Sequence, residues 1–190
     1  SKAEIFVYVK SLSAFTKSGS GKLDLKYLNI PDNFDLKVSG SGNSKIDIEC
    51  DNLYVTNSGS GDVKIISDDN NLIINNSGSG DINSKFNANS DLNIANRGSG
   101  DIRTFGNANF VEISNAGSGD IFANNVTASK MNVKNAGSGD VYYSEKIENI
   151  EAKSIGSGEI KIKAQVTNKV SKGLIFIPFH FEEAAANILT

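Results

Sequence analysis

The triplet Gly-Ser-Gly occurs eight times in this chain of 190 residues, beginning at Gly19, Gly40, Gly59, Gly78, Gly98, Gly117, Gly137 and Gly156. Successive starts lie 21, 19, 19, 20, 19, 20 and 19 residues apart. The triplets take 16 of the 18 glycines and leave only Gly106 and Gly173 outside. Glycine scattered at random would describe a linker. Glycine confined to one period describes a repeat architecture, whose units are too small to bury an apolar face alone and do so against their neighbours.

The sequence between triplets supports this. Six and four residues before the first glycine stand the pairs Phe34/Leu36, Leu53/Val55, Leu72/Ile74, Leu92/Ile94, Val111/Ile113, Met131/Val133 and Ile150/Ala152. The residues between them are mostly polar. After the triplet a second alternation begins, clearest in Leu23/Leu25, Val63/Ile65 and Ile160/Ile162. Period-two alternation predicts half-buried strands, and Asn, Ser and Gly are poor helix formers. Only 38% of residues are hydrophobic, while 24 Ser and 24 Asn join the glycines. The periodic placement of that polar excess makes it a source of order rather than disorder. The expectation is an all-β fold: a β-solenoid of about eight coils, one per repeat of 19–20 residues. Each coil would hold two or three short strands, with a tight corner at the triplet. At about 4.8 Å per coil, eight coils make a rod of roughly 35 Å. A propeller blade needs roughly 40 residues, twice this period. Glycine at the corners would supply positive φ and close approach between coils.

Stacking turns repeat positions into columns. After each triplet come Lys22, Asn43, Asp62, Asp81, Asp101, Asp120, Asp140 and Glu159. The last six form an acidic column, a candidate strip for a divalent cation such as Ca²⁺. The simpler reading, preferred here, is that each carboxylate accepts backbone N–H bonds at its corner. Two residues before the triplet stand Asn57, Asn76, Asn96, Asn115 and Asn135, with Ser154 continuing; they share parity with the apolar positions and predict an inward hydrogen-bonded ladder. Cys50 reads as a small buried hydrophobe.

The composition excludes several chemistries. One cysteine rules out an internal disulfide or a multi-cysteine metal site. The central serines of the triplets have no general base in the repeats, since the lone His180 lies beyond them. No catalytic residue is predicted, nor any cofactor. A net charge of −3 and a pI near 5.2 argue against nucleic acid as a partner. No apolar run reaches the ~18 residues that span a bilayer. No charged and apolar leader opens the chain at Ser1, so a signal peptide is expected to be absent or already removed.

The repeated Ser-Gly-Ser-Gly-Asp-Ile/Val pattern resembles the GIN-domain family of auto-transporter adhesin head domains. Ser58–Val63, Ser77–Ile82, Gly98–Ile102, Gly117–Ile121 and Gly137–Val141 carry the resemblance, which covers residues 5–160 or so. It implies a right-handed parallel β-helix that is secreted or displayed on a bacterial surface, and it brings no catalytic residues. Lys22 and Asn43 depart from the pattern, so any acidic strip is confined to the later coils.

The repeat domain is expected to span 1–158, with 159–190 a C-terminal cap or fused segment. Leu174–Phe181 is an apolar run interrupted by Pro178 and predicts a buried strand; Glu182–Leu189 predicts a short helix. Gly173–Thr190 resembles the C-terminal cofactor-binding domain of molybdopterin-dependent formate dehydrogenases. That resemblance would make His180 and Asn187 the residues nearest a pterin cofactor, although the catalytic domains and metal-ligating residues of that family are missing. The expectation is a non-enzymatic, extracytoplasmic module, structural or adhesive, that meets glycans or surface proteins through polar outer faces. The alternatives are a Ca²⁺-stabilised solenoid and a fusion to, or fragment of, a molybdopterin-dependent oxidoreductase.

Overall fold

The computed structural model describes residues 12–163. They form ten strands: β1 (Ala14–Lys17), β2 (Leu23–Val38), β3 (Ser44–Asn57), β4 (Val63–Asn76), β5 (Ile82–Asn96), β6 (Ile102–Asn115), β7 (Ile121–Asn135), β8 (Val141–Ser144), β9 (Ile147–Ser154) and β10 (Ile160–Lys163). Every pairing is parallel. The ladder runs from β1 to β8 in sequence order and on to β10, with β9 on β7. Each residue therefore pairs with its counterpart one repeat later, as Leu53 does with Leu72 and Leu72 with Leu92. This is the β-solenoid of about eight turns that the period predicts. No helix occurs among the described residues, and none there is long and apolar enough to cross a membrane. The strand and helix expected in Leu174–Leu189 lie outside the described residues.

One expectation is corrected. Most coils are not two or three short strands: β2 to β7 are single strands of 14–16 residues that bend around their coils, while the coil of β8 and β9 is split in two. Coil-to-coil hydrogen bonds continue around most of the perimeter, so bends do not end the strand. The inside–outside alternation continues even through the triplet: Asn76, Gly78, Gly80 and Ile82 are buried, while Ser77 and Ser79 face solvent.

Repeat length then dictates where alternation must slip. A 19-residue coil has odd length, so strict period two cannot return in phase. In β4 the phase changes once, where Asn70 and Asn71 both turn outward between buried Asp69 and Leu72. Longer coils absorb their extra residues as bulges away from the triplets. β2 carries two, between Leu25 and Leu28 and between Ile30 and Asn33, which accounts for the first spacing of 21.

Glycine in the triplets serves one of its two expected purposes. Among the described residues only Gly106 and Tyr27 have positive φ, so the triplets need no left-handed backbone. They need space. A Cβ built on Gly100 would stand 2.1 Å from the carbonyl oxygen of Gly80, and one on Gly119 would stand 2.1 Å from that of Gly100. The corners stack too closely for any side chain on the inward position.

The core is a continuous apolar column. Phe34, Leu53, Leu72, Leu92, Val111 and Met131 stack at one position; Leu36, Val55, Ile74, Ile94, Ile113 and Val133 stack at the next. All are buried.

Candidate functional site: the ladders around the triplet corner

The inner ladder comes from the asparagines before each triplet. Asn57, Asn76, Asn96, Asn115 and Asn135 are all buried. Asn96 shows the arrangement: its Oδ1 accepts from the Gly98 N–H at 3.2 Å. Its Nδ2 donates to the Gly100 carbonyl of its own corner at 3.4 Å and to the Gly119 carbonyl of the next coil at 3.2 Å. Neighbours also link directly, Asn57 Nδ2 to Asn76 Oδ1 at 3.2 Å and Asn76 Nδ2 to Asn96 Oδ1 at 3.1 Å. An amide both donates and accepts, so one side chain can satisfy a buried corner that glycine leaves bare. Lys17 and Ser154 hold the same place in outer coils. Lys17 Nζ donates to the Gly19 and Gly42 carbonyls, and Ser154 Oγ donates to the Gly158 carbonyl at 2.8 Å. Burial lowers the Lys17 pKa from its ordinary value. Lys17 was not singled out from sequence; its spacing to Gly19 is the signal that could have found it.

The outer ladder is the acidic column. The Oδ1 atoms of Asp62, Asp81, Asp101, Asp120 and Asp140 each accept the backbone N–H of the residue one coil on, at 2.7–3.1 Å, ending at Glu159. The second oxygens of Asp81, Asp101 and Asp140 meet cations. Arg103 reaches Asp101 at 2.9 Å and Asp81 at 3.6 Å; Lys161 reaches Asp140 at 2.6 Å and Glu159 at 3.0 Å. Hydrogen bonds from the Lys161 ammonium and the Glu159 backbone N–H hold the Asp140 carboxyl below the usual carboxylate range, and the Asp140 and Glu159 carboxylates raise Lys161. Among the described residues no three His, Cys, Asp or Glu side chains converge as a metal ion requires.

A third column lies beside the carboxylates and was missed from sequence. Arg103, Phe122, Tyr142 and Lys161 stand in register on consecutive coils. The Arg103 guanidinium sits 4.6 Å from the Phe122 ring centre, and Lys161 Nζ sits 5.4 Å from that of Tyr142. Both aromatic rings have their faces covered along the stack, so the column braces coils rather than offering a platform. The signal was present: all four residues stand five places after the first glycine of their triplets.

The remaining candidates separate. The central serines are exposed in all eight triplets, and no histidine occurs among the described residues. Cys50 is a buried free thiol; burial, with Asp69 and Asp51 adding charge, pushes its pKa to about 12, which suppresses thiolate chemistry. Asp69, its in-register neighbour, is 5% exposed, and the side-chain group that stands by its carboxylate is the equally buried Ser67 hydroxyl two residues before it. Burial raises it to about 6 against the opposing Ser67 hydrogen bond, with the charge of Asp68 adding to the rise. His180 and Asn187 lie outside the described residues.

Comparison with known proteins returns one family. Its profile, described as "Putative auto-transporter adhesin, head GIN domain", matches twice, over residues 1–103 and 64–165. No curated protein and no solved structure matches the chain. No match reaches beyond residue 165, so the formate dehydrogenase resemblance of the tail gains no support.

Proposed function

Because this chain belongs to the GIN head-domain family of auto-transporter adhesins, we propose that it is a non-enzymatic structural and adhesive module working outside the cytoplasm, at the cell surface, in the periplasm or in secreted form. The observation that carries this reading is the division of labour among its polar residues. Buried amides satisfy the corners, and one oxygen of each aspartate ties adjacent coils. The remaining polar groups are left as a periodic outer surface of Ser, Asn, Asp and Lys. Such a rod presents many weak, repeated hydrogen-bonding positions, which suits glycans or polar protein surfaces better than one small substrate.

The test is adhesion of beads coated with the full chain to bacterial or host cells and to a glycan array. Saturable adherence above that of beads carrying an unrelated acidic protein supports the reading. Adherence no greater than that control, at high coating density, overturns it.

A further inference from the structure

The interior holds one carboxyl that neither ladder uses. Asp69 faces inward on β4, three strands along from Lys17, the other buried charge among the described residues. No ion pair among the described residues includes it. On β3 its in-register neighbour is the buried Cys50, with Glu49 and Asp51 exposed on either side. On β4 the buried Ser67 hydroxyl stands beside the carboxylate, and Asp68 is exposed. On β5 its register partner is Ala88. Every charged neighbour is an acid, so nothing nearby favours a further negative charge. One hydroxyl does not replace the water that a carboxylate loses on burial, so the closed coil suits the neutral acid.

The ladder is irregular beside this carboxyl. The β4–β5 pairing shifts register between Asp69 and Asn71, and the β5–β6 pairing shifts between Lys85 and Asp91. Both shifts accommodate one extra residue, which β5 carries between Ala88 and Asp91. A bulge on the next coil therefore lies against Asp69. Ladder bonding is locally disrupted at a bulge, so this stretch opens at lower cost than the regular coils around it.

We propose that Asp69 and the β5 bulge beside it form a pH-sensitive latch: the coil closes over the protonated acid, and ionisation opens the bulge, admitting water to Asp69 and to the Cys50 thiol next to it while the rest of the solenoid stays folded. The latch is independent of the adhesive reading. Proton linkage sets its direction. Burial holds the carboxyl at about 6 in the closed coil, above its ordinary 3.8, and opening returns it to the ordinary value. The open fraction therefore rises as pH climbs from about 4 to about 6 and is level beyond, by on the order of a hundredfold.

The test is the labelling rate of Cys50, the chain's one cysteine, in the folded full chain. The probe is a pyridyl disulfide reagent, which reacts in acid as well as at neutral pH. Asp69→Asn should label at least about tenfold more slowly than the parent near neutral pH, and within about twofold of it near pH 4. Asp69→Ala, a second neutral variant, should behave as asparagine does. Removing the Asp69 charge would by itself lower the thiol's pKa and speed labelling, so slower labelling isolates the latch. Asp68→Asn, at the exposed neighbour, should change the rate by less than about threefold. Equal or faster labelling in both Asp69 variants near neutral pH overturns the proposal, as does a folded parent that does not label there at all. A parent rate that climbs steeply with dilute urea also overturns it, because the thiol is then reached by unfolding of the whole chain.

Discussion

Phe122 and Tyr142 lie one coil apart with ring centres 4.9 Å from each other and planes within 6° of parallel. The separation falls in the range of stacked aromatic pairs. The in-register parallel pairing of β7 and β8 sets it, and the cations at either end extend the column. Truncating Phe122→Ala exposes one face of Tyr142 and uncovers Arg103, and should cost about 1–2 kcal/mol by urea denaturation. Arg103→Ala, a half-exposed charge, should cost less than about 1 kcal/mol.

Asn96→Ala should be among the more damaging single changes that create no large cavity. It removes the acceptor of the Gly98 N–H and of Asn76 Nδ2, and takes one of two buried amide donors from each of the Gly100 and Gly119 carbonyls, which keep Asn76 and Asn115. A loss of about 3 kcal/mol is expected. Asn96→Asp keeps the acceptor but cannot donate to either carbonyl, so it should be no better than alanine. Recovery of stability with aspartate would mean that the donor side of the ladder is dispensable.

Asp69 makes stability fall with rising pH across a defined window. Its folded pKa of about 6 lies above the ordinary value of 3.8, so the folded state binds the proton more tightly than the unfolded chain. The ionised, buried carboxylate therefore opposes folding above pH 6. The penalty shrinks as pH falls from 6 towards 4 and is absent below that. Its full size is about 3 kcal/mol. Asp69→Asn should flatten the stability profile between pH 4 and 7 relative to the parent chain. Superimposable profiles would show that water or a partner already satisfies the carboxylate.

Calcium should leave the solenoid's melting temperature unchanged to within about 1 °C, whether the ion is added at millimolar concentration or removed with chelator. One oxygen of each column aspartate is already held by a backbone N–H, and Arg103 and Lys161 occupy several of the others. A clear rise with calcium would instead make the column from Asp62 to Glu159 a shared cation strip.

What could be read from sequence was what recurs. The apolar pairs such as Leu72/Ile74, the Asn76 column and the Asp81 column each repeat five times or more, and parallel stacking makes any recurring position a physical column. What could not be read is what happens once. Tyr27 and Lys17 are single-coil exceptions, and the bulge that turns Tyr27 outward depends on which residue the next coil skips. Asp69 looked like one more polar residue in Asp68-Asp69-Asn70-Asn71. Its burial follows from where the odd-length coil places its phase slip, one residue later. The role of glycine was half legible: periodicity marks the corners, but only the stacked geometry separates a need for space from a need for positive φ.

The central claim is that the triplets exist to let successive coils touch, and the most direct measurement compares two neighbouring substitutions by chemical denaturation. Gly119→Ala places a methyl group against the Gly100 carbonyl, whereas Ser118→Ala removes a hydroxyl from an exposed position in the same triplet. The account predicts that Gly119→Ala costs at least about 3 kcal/mol or abolishes the cooperative transition, while Ser118→Ala stays within about 0.5 kcal/mol of the parent. Equal, small effects at both positions would contradict it.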